Sequence, residues 1–271
     1  MRVSVAAFML GSAWLAAEHA PVNGVRLWFQ DSGGSGPAMV LLHAATGSSR
    51  VWEHQTAALL KAGYRVIAYD RRGYGRTEAT VPGPDADDLE GLLMYLKLDR
   101  IHLLGTAAGG SVALDYALRF PRRLRSLVVA NSVGGVQDPE YLEMAKRIRP
   151  QPQFNSLPAA FRELGPSYRA ASPEGTARWE ALELASRAPG PRMAAGKQKN
   201  RITFEALSSI RTPVLLLTGD ADLYMPPAVL RLFSARMRGA ETVVVPDAGH
   251  SAYWENPDVF NRAVLTFIAK H

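Results

Sequence analysis

The chain has 271 residues, of which 47% are hydrophobic and 21% are charged, a composition that excludes wholesale disorder and suits one large domain. It contains no cysteine, which excludes a disulfide scaffold, a thiolate metal site and a cysteine nucleophile. The net charge is +6, but the basic residues are dispersed as pairs such as Arg71 and Arg72. We therefore expect no nucleic-acid partner, because such proteins concentrate their basic residues in a patch or stripe.

The first twenty residues have the features of a secretory signal. One basic residue, Arg2, precedes an apolar run over residues 3–17 that is too short to span a membrane stably. Two interpretations stay open: a cleaved signal, or an extension ahead of a domain that occupies residues 21–271. Cleavage would make the protein periplasmic or secreted; otherwise it would be cytoplasmic.

From residue 25 onward, short apolar runs alternate with segments of helical spacing. The runs are typical of buried strands, which predicts an α/β fold with a mostly parallel central sheet and helices on both faces. The predicted strands cover residues 25–30, 38–43, 65–69, 101–104, 124–130, 213–218 and 242–245. The predicted helices cover residues 51–61, 85–96, 109–120, 227–237 and 257–268.

The alternation breaks between about residues 136 and 201. This segment has helical pieces at 140–149, 158–164 and 176–187, separated by proline and glycine. An insertion of this kind predicts a helical lid over a site.

Chemically useful residues follow three of the predicted strands. The segment GTAAGG at 105–110 joins a strand to a helix, as a nucleophile elbow does. Asp222 follows the strand 213–218, and His250 follows the strand 242–245. Because ligands bind at the carboxyl ends of parallel strands, we expect Ala107, Asp222 and His250 to meet at one site.

The segments 43–49, 70–76, 105–110 and 248–251, with Asp222, make the chain from about residue 21 resemble the α/β-hydrolase superfamily. The resemblance implies that His250 is the general base and that Asp222 orients it. It also implies an oxyanion hole made by the backbone N–H groups of Ala45 and Ala108, with His43 bracing that loop.

The main departure from the family is at the centre of the elbow. The family has Ser, Cys or Asp there, whereas this chain has Ala107, whose methyl group cannot attack a carbonyl. We expect Thr106 to point away from the site and Ser111 to be packed. Either a serine was replaced or the nucleophile is naturally absent; Ala44, where the family usually has glycine, favours natural absence.

Three functions follow as hypotheses. The first is a hydrolase of an ester, lactone or C–C bond in a small molecule, complete when Ser occupies position 107. The second is a serine-independent acid–base enzyme, such as a lyase, isomerase or cofactor-free oxygenase, and the third is a noncatalytic binder. We expect no metal and no cofactor, and the oligomeric state and substrate stay open. Aromatic residues that could line the substrate pocket are Trp52, Tyr74, Tyr224, Tyr253 and Trp254.

Overall fold

The computed structural model describes residues 14–79, 81–187 and 198–271. An eight-stranded sheet with the order β1-β2-β4-β3-β5-β6-β7-β8 forms its centre. β2 pairs antiparallel with both β1 and β4, and the remaining neighbours are parallel. The strands are β1 Ala16–Val22, β2 Val25–Asp31, β3 Ala38–Leu42, β4 Arg65–Tyr69, β5 Ile101–Thr106, β6 Leu124–Ala130, β7 Val214–Gly219 and β8 Glu241–Val245.

Both faces of the sheet are covered by helices, which explains why its central strands are continuous apolar runs. In β3, Val40 and Leu42 join the core on one face, while Met39 and Leu41 join the core on the other. The twelve helices of the described residues are α1 Glu53–Lys61, α2 Asp85–Tyr95, α3 Ala108–Arg119, α4 Pro139–Ile148, α5 Gln153–Ser156, α6 Ala159–Glu163, α7 Pro166–Ala171, α8 Pro173–Ala185, α9 Phe204–Ser208, α10 Pro227–Ser234, α11 Ala252–Glu255 and α12 Pro257–Ile268.

The predicted α/β architecture is confirmed. All seven predicted strands are present, and the strands at 65–69 and 124–130 and the helix at 257–268 have the predicted bounds. The predicted helix at 51–61 begins as a short 3₁₀ turn, Ser49–Trp52, before α1. These strands and helices were predictable because the buried strands are continuous apolar runs and the helices each carry an apolar stripe.

The sheet contains one strand, β1, that the sequence analysis did not predict. It forms a hairpin with β2 through Asn23 and Gly24, which both have positive φ angles (47° and 76°). The boundary at residue 21 is therefore wrong, since the sheet already includes Ala16. An Asn-Gly pair is a strong hairpin signal, and it could have identified this strand. The remaining residues of the predicted signal, 1–13, lie outside the described residues.

Within the described residues, six helices, α4 to α9, lie between β6 and β7 along the chain, and residues of α6 and α8 line a cavity with the loop that follows β5. Among the contacts that tie this insertion to the rest of the domain, the Gly75 N–H donates to Ser186 O at 2.8 Å, and Arg178 pairs with Glu53. Residues 188–197 of the predicted lid lie outside the described residues. No helix in the described part of the chain is long and apolar enough to cross a membrane.

Candidate active site

Ala107 forms the apex of a tight turn between β5 and α3. Its backbone has φ 49° and ψ −116°, a conformation that a residue with a side chain adopts only at an energetic cost. Gly109 permits the turn, because a Cβ there would lie 2.2 Å from the carbonyl oxygen of Leu42. The sequence GTAAGG thus folds as a nucleophile elbow that presents a methyl group.

His250 and Asp222 form a buried pair next to this elbow. Nδ1 of His250 lies 2.9 Å from each carboxylate oxygen of Asp222. Within the described residues, His250 Nε2 has no hydrogen-bond partner, and His250 and Ala107 line the same cavity. The two residues predicted from separate loops therefore meet, with the free ring nitrogen available to a ligand.

Asp222 is held by five groups, several of which the sequence analysis missed. Asn131 Nδ2 donates to Oδ2 at 3.0 Å, and the backbone N–H groups of Tyr224 and Met225 donate to Oδ1. Thr218 Oγ1 lies 3.1 Å from Oδ2, and His250 completes the set. Burial opposes ionisation, but the His250 ring and these hydrogen bonds outweigh it and lower the pKa of Asp222 to about 2.

Asn131 follows the end of β6 and has a positive φ of 48°. Its side-chain amide also donates to Gly249 O at 3.1 Å, so it joins the acid to the loop that carries the histidine. Asparagine tolerates this backbone conformation better than most residues. The one local signal for Asn131, a polar residue directly after a buried strand, is too common to identify it.

Two backbone N–H groups point to an oxyanion hole. Ala45 and Ala108 line the cavity beside Ala107, and neither N–H has an acceptor among the described residues. The N–H of Ala108 is free because it is the first residue of α3, where the helix supplies no partner. The oxyanion-hole role that the family resemblance implies for both residues stays a prediction.

His43 braces the loop that carries Ala45. Its Nδ1 lies 2.7 Å from Ala44 O, and its Nε2 accepts a hydrogen bond from the Arg71 N–H at 2.9 Å. Burial, reinforced by the Arg71 charge, keeps the pKa of His43 well below its usual value. Both ring nitrogens are engaged, so His43 is a neutral structural residue here.

Ala44 is not among the described residues that have a positive φ. An alanine therefore fits this loop without backbone strain. The departure from the family's usual glycine leaves the loop geometry intact.

The cavity at the elbow has a volume of about 560 Å³, within the range of small-molecule sites. Tyr224 lines it, and its ring lies 4.2 Å from that of His250. The predicted aromatic pocket is otherwise wrong. Trp52, Tyr253 and Trp254 are buried in the core on one face of the sheet, because α1 and α11 pack against each other there.

Tyr74, the fifth aromatic residue of the predicted pocket, also does not line this cavity. Its ring packs edge-on against His43 at 5.0 Å, and it makes an isolated backbone bridge with Arg187. Tyr74 therefore joins the loop after β4 to the insertion.

Two hydroxyl groups near the elbow differ in position. Thr106 is fully buried in β5 and does not line the cavity, as predicted. Ser111 was predicted to be packed, but it is half-buried and lines the cavity, since the first turn of α3 borders it. Ser132, which the sequence analysis missed, donates to Ala107 O at 2.5 Å and so supports the elbow.

Metal ions have no ready site in the described residues, which contain no cluster of three or more His, Asp or Glu residues suited to holding one. The chemistry that the site offers is proton transfer by His250 next to hydrogen-bond donors for an oxyanion.

The fold and the site define the class. Residues 37–257 match the family model for the alpha/beta hydrolase fold, and the chain belongs to this family. It is 31% identical over 256 residues to the "Putative carbamate hydrolase RutD" of Caulobacter sp. strain K31, covering 85% of this chain and 90% of that protein. It is 28% identical to the 2-hydroxy-6-oxononadienedioate/2-hydroxy-6-oxononatrienedioate hydrolase of Escherichia coli strain K12, covering 91% and 92%.

Solved structures give the same class. A thermophilic esterase from Thermogutta terrifontis superposes with a TM-score of 0.78 at 27% identity, covering 94% of this chain and 97% of that one. The enol-lactonase from Burkholderia xenovorans LB400 has a TM-score of 0.74 at 26% identity, with coverage of 93% and 99%. These relatives are hydrolases that differ in the bond they cleave.

Proposed function

We propose that the cavity at Ala107 is a hydrolase site for small carbonyl compounds, either esters, lactones or ketones cleaved at an adjacent C–C bond. One observation carries the proposal. His250, whose Nε2 is unpaired and whose Nδ1 is held by Asp222, lines the cavity at the elbow apex together with Ala45 and Ala108, whose N–H groups have no acceptor among the described residues. The hydrolase relatives support the same reaction class.

The apparatus is suited to a carbonyl carbon placed above residue 107. The N–H groups of Ala45 and Ala108 would stabilise a tetrahedral oxyanion, and one such donor is worth roughly 3 kcal/mol. His250 would remove a proton from a hydroxyl nucleophile and return it to the leaving group. With Ala107 the covalent step has no nucleophile, so only the roughly 10³–10⁴-fold effect of binding and the oxyanion hole would remain.

We further propose that the helical insertion is a lid for this site. Ala159, Arg162 and Glu163 of α6, Glu183 of α8 and Arg187 after it all line the cavity. Their polar and charged groups suit a substrate with polar substituents rather than a long alkyl chain. The substrate class is therefore a small polar carbonyl compound.

The test is the Ala107→Ser variant, assayed with short p-nitrophenyl esters and simple lactones. We expect kcat/KM to rise by on the order of 10⁶-fold over the parent chain, the loss that removal of the serine causes in a comparable triad. Ala107→Gly, which also lacks a nucleophile, is the matched control and should stay inactive. A folded Ala107→Ser protein without gain on any of these substrates would refute the proposal.

A second candidate is acid–base catalysis without a covalent step. The observation that favours it is the intact, well-held His250–Asp222 pair beside a residue that has no nucleophilic atom. In that case the parent chain turns over its substrate, His250→Ala abolishes turnover and Ala107→Ser does not raise it. Carbonyl ligands that still bind tightly after His250→Ala, with no turnover in any variant, would indicate a noncatalytic binder.

A further inference from the structure

Glu163, the last residue of α6, places a second carboxyl group in the reaction cavity. Its side chain is 6% exposed and lines the cavity together with His250 and Ala107. Its Oε2 is buried and has no hydrogen-bond partner among the described residues. A buried polar atom without a partner is costly, so its retention calls for a function.

The backbone around Glu163 is fixed against the histidine loop. The Ser251 N–H donates to Glu163 O at 3.0 Å, directly after His250 in the chain. A Cβ on Gly249 would lie 3.0 Å from Glu163 O and 2.5 Å from Gly165 N, so the two segments are in backbone contact. The insertion therefore holds Glu163 beside the base by direct contact.

Glu255 fastens the two segments together. Its carboxylate accepts hydrogen bonds from the N–H groups of Gly165 in the insertion and of Gly249 and Ser251 in the histidine loop. The distances are 2.6, 2.9 and 3.2 Å. The position of Glu163 relative to His250 is thus set by the fold rather than by a loose surface loop.

Glu163 and His250 each influence the pKa of the other. Burial raises the pKa of the Glu163 carboxyl, and the His250 charge works against this rise. Burial lowers the pKa of His250, but Asp222 and then Glu163 overcome it and raise that pKa overall. The charged and titratable groups nearest the ring are Asp222, Glu163, Arg149 and Tyr224. Arg162, Glu183 and Arg187 line the same cavity, and Asp220 and Glu255 bind the backbone of the histidine loop.

We propose that Glu163 is a positioning residue that gives His250 a second carboxyl partner, supplied by the insertion, to stabilise the imidazolium during proton transfer. The inference rests on the proposed function in that His250 is the base. Asp222 is fully hydrogen-bonded and stays ionised, whereas the Oε2 of Glu163 has no fixed donor. Glu163 thus has a carboxyl oxygen without a hydrogen bond in the cavity that His250 lines.

The first experiment needs no turnover. The imidazole signals of His250 are titrated by NMR in the parent chain, in Glu163→Gln and in Glu163→Asp, with His250→Gln identifying the signals. We expect Glu163→Gln to lower the pKa of His250 and Glu163→Asp to retain most of the parent value. Glu183→Gln is the matched control, because Glu183 lines the same cavity but is paired with Arg187 at 2.9 Å; it should cause a smaller shift.

An unchanged His250 titration in folded Glu163→Gln, or an equal shift in Glu183→Gln, overturns the inference. If Glu163→Gln does not fold, Glu163→Met decides, since this side chain of similar length also lacks the charge and must likewise lower the pKa of His250. This result does not depend on whether Ala107→Ser is active, so failure of the proposed function is distinguished from failure of this one.

The second experiment adds Glu163→Gln to Ala107→Ser. We expect kcat/KM at neutral pH to fall by roughly tenfold, equivalent to about 1.4 kcal/mol, and the acidic limb of the pH profile to move to lower pH. A fall in rate without movement of that limb would indicate a merely structural role and contradict the inference.

Discussion

The elbow carries backbone strain that a single substitution should relieve. Ala107 has φ 49° and ψ −116°, outside the well in which left-handed residues with side chains are comfortable. A residue held in such a region costs about 1–3 kcal/mol. Glycine adopts this conformation without that cost, so Ala107→Gly should stabilise the fold.

The magnitude follows from three terms. Relief of strain contributes about 2 kcal/mol, and the greater freedom of glycine in the unfolded chain opposes it by about 0.5–1 kcal/mol. Ala107 is only half-buried, so losing its methyl group removes less than about 0.8 kcal/mol of burial. The net expectation is a gain of about 0.5–1 kcal/mol, or a rise in Tm of about 2 °C.

Urea unfolding and thermal denaturation measure this gain. The matched control is Ala108→Gly at the next position, which is the first residue of α3 and has helical backbone. There, glycine should destabilise the protein by about 0.5 kcal/mol. A destabilisation at position 107 as large as that at 108 would show that the apex is unstrained and refute the reasoning.

Three further predictions concern buried charges. Burial, and after it the Arg125 charge, lowers the pKa of His102 from its usual 6.5 to about 4. Between these two pH values the unfolded chain binds a proton at His102 and the folded chain does not, so the free energy of unfolding should fall by about 3 kcal/mol from pH 6.5 to pH 4. His102→Asn should flatten that part of the stability curve. Asp222→Asn in the Ala107→Ser background should lower kcat by about 10⁴-fold, because the ring of His250 loses its orienting carboxylate. Arg72→Met should cost about 3–5 kcal/mol in unfolding free energy, since it leaves the buried carboxylate of Asp88 without its two guanidinium hydrogen bonds.

Each of these three predictions has an outcome that would contradict it. An identical pH dependence in the parent and in His102→Asn would contradict the titration argument. Retention of activity in Asp222→Asn would mean that the ring is held by other contacts. For the ion pair, Arg72→Met combined with Asp88→Leu should recover much of the lost stability; no recovery would mean that packing, not the unpaired charge, was responsible.

The course of the central strands was readable from the sequence because both faces of the sheet are buried. Residues 65–69 and 124–130 are mostly apolar, with Arg65, Arg125 and Ser126 as exceptions, so local composition indicates their bounds. β1 escaped detection because it is an edge strand with several exposed positions among seven residues. Its exposed half resembles a polar extension until β2 is seen to pair with it.

The residues of the site likewise include some that the sequence predicted and some that it did not. Ala107, Asp222 and His250 each lie in the loop that follows a predicted strand, so local pattern and chain order predict that they meet, and the structure brings them together. Asn131 and Glu163 could not be assigned, because a polar residue after a strand or at a helix end is common and its target lies far away in sequence.

The sequence by itself determined seven of the eight strands, the elbow and the acid–base pair, because these depend on the period of apolar residues and on glycine at points of close approach. Only the tertiary structure decided which side chains face the cavity. Trp52 and Tyr253 became core residues where two helices pack together, and Glu163 entered the site because the insertion folds back onto the histidine loop. Such contacts join residues about a hundred or more positions apart, and local pattern carries no information about them.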